Sequence, residues 1–125
     1  MLDGIDALRA RSRAFSVRIL QFVRSLPREP AADAVARQLA RAGSGTSSNY
    51  HSACRARSRA EFISRLSVAV EEAEESWHWL VMVQHTGLAA GSDLDWLINE
   101  SCELRAIFSK SVSTARANEQ ETRMR

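Results

Sequence analysis

Residues 58–87, SRAEFISRLSVAVEEAEESWHWLVMVQHTG, hold a start signal, a periodic interior and a stop signal for one long helix. Ser58 and Glu61 have the spacing of a capping box. The serine hydroxyl is expected to accept from a backbone N–H one turn on, and the glutamate from the backbone N–H of Ser58. Phe62, Leu66, Ala69, Ala73, Leu80 and Val83 then recur at helical spacing, which is the pattern of a helix with one buried face. Gly87 closes the segment where a left-handed residue is needed.

The flanking sequence repeats this pattern. Leu8, Phe15, Ile19, Phe22 and Leu26 predict a helix over 6–26, ended by Pro27 and Pro30. Val35, Leu39 and Ala42 set a second stripe from about Ala31. Helix 2 is expected to continue through 43–49 despite Gly43, Ser44, Gly45 and Asn49, because small residues let neighbouring helices approach and burial offsets poor propensity. Ser92-Asp93-Leu94-Asp95 resembles a weaker box opening a fourth helix, whose stripe is Leu97, Ser101, Leu104, Phe108, Val112 and Ala115. Four helices with short links predict an all-α, antiparallel up-down-up-down four-helix bundle over 1–116. Residues 117–125 are expected to form a polar, frayed tail.

The net charge of +2 conceals an asymmetry, for residues 1–65 have a balance of +7 and residues 66–125 one of −5. Of the seventeen basic residues all but Lys110 are arginine, whose planar fork suits phosphate and carboxylate. A genome rich in G and C, with salt bridges between the two halves, would account for the same pattern. No apolar run reaches the roughly 18 residues a membrane span needs, and no signal-peptide pattern opens the chain. A cytoplasmic protein with Cys54 and Cys102 as reduced, semi-buried thiols is expected.

Catalytic and metal chemistry find little support. Glu75 and His78 have the E-x-x-H spacing of carboxylate-bridged bundles, but no second copy exists. His51 and Cys54 share a helical face without further ligands. Gly43-Ser44-Gly45-Thr46 lacks the lysine ending and preceding strand of a phosphate loop. No catalytic residue, metal or cofactor is assigned, and no enzyme activity is expected.

Helical-wheel positions at about 100° per residue place several large apolar residues off the core stripes. Val17, Leu20, Trp79, Met82 and Trp96 are therefore candidates for an oligomer interface. Bulky flanks sealing a core rich in alanine and serine would be the alternative explanation.

From Gln38 to Leu80 the chain resembles a bacterial four-helix-bundle family. That family takes in proteins encoded by intervening sequences of large-subunit rRNA genes and accessory variability determinants of diversity-generating retroelements. The residues carrying the resemblance are Gln38, Arg41-Ala42, Ser44, Ser48-Asn49, Arg57-Ser58, Glu61-Phe62, Leu66 and Ala69. Tyr50-His51-Ser52-Ala53 replaces the family's usual Ile-Ala-Glu-Gly. The resemblance implies a four-helix protomer assembled as a homo-oligomer, a pentamer foremost, with RNA, DNA or a reverse transcriptase as partner.

These readings converge on nucleic-acid binding through arginines of helices 1 and 2 and the following link. The candidates are Arg9, Arg13, Arg24, Arg41, Arg55, Arg57 and Arg59, with Tyr50 as a residue that could stack on a base. The alternative is a scaffold that docks a protein partner without contacting nucleic acid, in which the acidic run Glu71, Glu72, Glu74 and Glu75 could take part.

Overall fold

A computed structural model describes residues 4–125. Four helices follow in order: α1 (Gly4–Arg24), α2 (Pro30–Cys54), α3 (Arg59–Thr86) and α4 (Ser92–Arg123). Each packs antiparallel on its successor, and α4 returns to α1 through a less extensive contact, which closes an up-down-up-down bundle. No helix among the described residues is long and apolar enough to cross a membrane.

Buried positions recur every seven residues: 12 and 19 in α1, with 26 just after it; 32, 39, 46 and 53 in α2; 66, 73 and 80 in α3; 94, 101 and 108 in α4. That spacing keeps an apolar seam facing inward when helices coil left-handed around one another. Phe15, Ile19, Leu39, Leu66, Leu80, Leu104 and Phe108 are fully buried at the centre. Tyr50 and Phe108 stack there with ring centroids 5.0 Å apart. The buried Ser12, Ser76 and Ser101 and Thr46 hydroxyls each donate to a carbonyl of their own helix, so they enter the core satisfied.

α2 runs unbroken across 43–49, as its packing requires. The Ser16 hydroxyl of α1 lies 2.6 Å from the Gly43 carbonyl and 2.7 Å from Ser47 Oγ, so the two backbones approach across small residues. A Cβ at Gly43 would overlap the Ile19 side chain. Here close approach outweighs the helix propensity of alanine.

The helix ends match the sequence signals in part. Ser58 Oγ accepts from the Glu61 N–H at 3.1 Å. Glu61 reaches one residue further back than a reciprocal box, accepting from the Arg57 N–H at 2.9 Å instead of that of Ser58. This bond, with Arg65 alongside, holds the Glu61 carboxyl below its ordinary pKa. Gly87 is left-handed at φ 73°, and Leu88 N–H donates to the Val83 carbonyl across it. The expected box at Ser92 does not form. Gly91 occupies the cap position, Ser92 is already helical, and no side chain caps α4.

The polar segment expected to fray is helical as far as Arg123. Ion pairs Arg123–Glu119 at 2.9 Å and Arg125–Glu121 at 3.0 Å span successive turns, and Arg59 of α3 donates to Thr122 Oγ1 at 3.1 Å. Local pairs thus extend the helix beyond Val112, the last buried position.

Candidate nucleic-acid interface

The exposed side of α1 carries Arg13, Leu20 and Arg24 at spacings of seven and four, with Val17 inside the same row. Arg37, Ser44 and Ser48 of α2, with Arg55 at its C-terminal cap, form a matching row at spacings of seven, four and seven. The two rows are neighbours at both ends of the bundle. At one end Leu20, Val23, Arg24, Ala36 and Arg37 line a groove of about 590 Å³ between the helices. At the other, His51 of α2 feels the charges of Arg9, Arg13 and Arg55. From Arg37 to Arg55 the α2 row is about 27 Å long at 1.5 Å per residue. That matches about eight steps of one duplex strand at 3.4 Å each.

The seven candidate arginines fall into two groups. Arg13, Arg24 and Arg55 are exposed and form no ion pair among the described residues, and Arg57 has none beyond its backbone bond to Glu61. Arg37, not a candidate from sequence, joins them. The others are engaged. Arg41 sits between Glu75, in contact, and Glu72 at 3.5 Å, on the α2–α3 seam. Arg9 lies 3.6 Å from Asp6 and beside the Cys54 thiol, which raises its pKa further. Arg59 is tied to Thr122. Acidic groups near the α1–α2 face are paired already, Asp6 with Arg9 and Asp33 with Arg28 at 3.4 Å.

Arginines that sequence reading did not single out hold the bundle together. Arg11 of α1 forks onto Glu100 of α4 at 2.7 and 2.8 Å and also contacts Glu103. Glu100 is only 6% exposed, and this pair closes the bundle where α1 and α4 meet. Arg18 lies over the Trp96 ring at 3.9 Å and 3.5 Å from Asp93. An acidic residue at a core position of α4 was the available signal, since Glu100 follows Leu97 by three and precedes Leu104 by four.

His51 is half-buried, with Nε2 enclosed. Burial lowers its pKa first, a hydrogen bond to the Arg9 backbone opposes this, and the charges of Arg13, Arg9 and Arg55 lower it further. Proton uptake here is therefore coupled to whatever offsets these guanidinium groups. Tyr50 cannot serve as an exposed stacking ring, being 5% exposed and already stacked on Phe108.

The off-stripe apolar residues also divide. Val17 and Leu20 are exposed at 46% and 44%, whereas Trp79 and Trp96 lie half-buried against the core, and Met82 is half-buried. Trp77, passed over in the sequence, is exposed at 42%. Cys54 is half-buried and Cys102 exposed, both as free thiols. Among the described residues no group of three or more His, Cys, Asp or Glu could hold a metal ion. His78 is exposed beside Trp79, away from the core.

No curated protein matches the chain. Among solved structures, one similar to it is a protein of unknown function from the S23 ribosomal protein family of Bacteroides thetaiotaomicron. It is 27% identical, with a TM-score of 0.80, over 87% of this chain and 97% of that one. The sequence pattern of the 23S rRNA-intervening sequence protein family matches residues 7–110, which span all of α2 and α3 and most of α1 and α4. With that match covering most of its length, the chain belongs to the 23S rRNA-intervening sequence protein family.

Proposed function

We propose that this chain is a non-enzymatic, homo-oligomeric bundle that binds RNA, DNA or a nucleoprotein through the α1–α2 face. The observation that carries the reading is the set of arginines left unpaired. Arg11, Arg18, Arg41 and Arg65 are spent on contacts within the bundle, while Arg13, Arg24, Arg37 and Arg55 form no ion pair among the described residues. Such a face neutralises phosphates and releases counterions, so binding depends steeply on salt and weakly on sequence. A homo-oligomer would repeat the face and raise avidity without new contacts. A nucleoprotein such as a reverse transcriptase with its template presents the same phosphates.

Replacing Arg13, Arg24, Arg37 and Arg55 together by Gln tests this. Binding to unrelated sequences should weaken alike, and the logarithmic salt slope should flatten by about three to four units. Arg41→Gln should leave the slope nearly unchanged, since Arg41 already faces two carboxylates. Equal binding by the fourfold variant would move the site elsewhere on the bundle. Absence of binding to RNA or DNA at low salt by the wild type would leave the protein-scaffold reading.

Assembly is tested separately by light scattering without nucleic acid. The mass should be a multiple of the 13.9 kDa protomer, five by family resemblance. Val17→Glu with Leu20→Glu locates the contact: these exposed residues share a row with Arg13 and Arg24, so a lowered mass would put that row in the subunit interface and count against phosphate binding there, while an unchanged mass leaves the row open. A wild-type mass near 13.9 kDa would end the assembly proposal.

A further inference from the structure

The end of the bundle built by the α2–α3 link and the last turns of α4 carries two adjoining cavities. One, of about 690 Å³, lies between the start of α3 and α4, with Phe62 and Ile107 among its apolar lining and Arg59, Lys110, Ser111 and Thr114 around it. The second, also about 690 Å³, lies under the start of α1 and shares Phe62 and Ser111 with the first. Half-buried Phe62 is thus the wall between them. Among the described residues no carboxylate lines either cavity. Lys110 forms no ion pair among those residues, and Arg59 is held only by the neutral Thr122 hydroxyl. The backbone N–H groups of Arg57 and Glu61 are already occupied, by the Glu61 carboxylate and the Ser58 hydroxyl. Charge here therefore comes from side chains and not from the helix terminus.

We propose that the cavity between Phe62 and Ile107 takes an unpaired nucleotide of a bound strand, its base against these side chains and its phosphate on Arg59 and Lys110. The proposal rests on the nucleic-acid reading above and extends it from phosphates to a base. Three features favour this occupant. The cleft offers an aromatic ring and apolar side chains beneath two cations, and stacking on such a surface tolerates any base. Hydroxyl and amide groups of Ser111, Thr114 and Asn118 stand at the cleft to meet polar base edges. Arg55 and Arg57 also precede, in the same link, the Ser58 and Arg59 that line the cleft. A base inside an intact duplex cannot enter it, so the cleft discriminates strand from duplex.

The test compares fluorescently labelled oligouridylate with an RNA duplex of similar phosphate count, using the full chain. Thr114→Glu places a carboxylate at the cleft from an exposed helical position, and Phe62→Leu removes the ring while keeping an apolar side chain. Each should weaken oligouridylate binding roughly tenfold, the scale of one lost stacking contact, and change duplex binding less than about twofold. Lys110→Gln should flatten the salt slope for oligouridylate by about one unit. Circular dichroism checks that each variant keeps its helices, and ultraviolet cross-linking of oligouridylate to wild type should map to the peptide containing Phe62. Unchanged oligouridylate binding by Thr114→Glu, or equal losses on strand and duplex, overturns the cleft. If binding then still falls with the fourfold arginine variant, the nucleic-acid reading stands without it. Failure of the wild type to bind either probe removes both.

Discussion

Exchanging Gly43 for alanine sets helix propensity against packing. In an exposed helix, glycine to alanine gains about 1 kcal/mol, and by propensity alone Gly43→Ala would stabilise α2. At this position the new Cβ would lie less than 3 Å from the Ile19 Cβ, Cγ1 and Cγ2 atoms. Ile19 is fully buried and β-branched, so its root cannot swing aside and α1 must shift as a body. Overpacking of this kind costs about 1–3 kcal/mol. The shift also stretches the Ser16 hydrogen bond to the Gly43 carbonyl, worth about 1 kcal/mol. The balance is a net loss of about 1–3 kcal/mol. At about 2.1 cal/mol/K per residue of unfolding entropy, each kcal/mol moves the Tm by about 4 °C, so a fall of about 4–12 °C is expected by circular dichroism at fixed protein concentration. Gly45→Ala is the control. Its Cβ would meet the end of the Glu72 side chain, 2.6 Å from Oε2, which can rotate away, and the Tm should hold or rise by up to about 4 °C. A Gly43→Ala variant as stable as Gly45→Ala would refute the claim that close α1–α2 packing explains the small-residue run.

Three further outcomes follow from the same geometry. Arg11→Gln leaves the buried Glu100 carboxylate without its fork and should cost about 2–4 kcal/mol, discounted from the buried-pair range because Arg11 is itself 39% exposed; chemical denaturation reads this out. Ser58→Ala removes the cap on the Glu61 N–H and should lower stability by about 1 kcal/mol, about 4 °C in Tm. His51 has a folded pKa below its ordinary 6.5, so the unfolded chain binds the proton first as pH falls. Stability should therefore decline as pH drops below about 6.5 until the folded pKa is reached, and His51→Gln should remove that part of the decline. A phosphate set among Arg9, Arg13 and Arg55 would offset the charges that oppose protonation. Nucleic-acid affinity should then rise on acidification more in wild type than in His51→Gln.

The fold was legible because its determinants are local and periodic. Apolar stripes, the Ser58 cap and Gly87 sit within single helices, where a 3.6-residue period and capping chemistry can be read directly. Helical-wheel positions at about 100° per residue misplaced two tryptophans of α3 for a physical reason. Burial in α3 repeats every seven residues, so a straight wheel drifts by about 20° per heptad. That drift set Trp79 too far from the core and hid the exposure of Trp77. In the polar tail, i,i+4 ion pairs, and not apolar periodicity, accompany α4 to Arg123.

The candidate interface was legible only as composition. An excess of arginine in 1–65 is visible in sequence, but which arginines remain free depends on partners far away in the chain. Arg41 meets Glu72 and Glu75, and Arg11 meets Glu100, across separations that no local pattern encodes. Arg37 was overlooked because nothing beside it in sequence marks it, although in the fold it shares a groove wall with Arg24. The Phe62 cleft needs α3 and α4 side by side before it exists at all.

Phosphate binding by the arginines of the α1–α2 face is read out by salt titration of wild-type binding. Fluorescence anisotropy with two unrelated RNA sequences, repeated across salt concentrations, should give parallel lines of log affinity against log salt. Their slopes should reflect at least about four released counterions for each bound protomer face, one for each of Arg13, Arg24, Arg37 and Arg55. A flat line, or no binding at the lowest salt, would contradict the account.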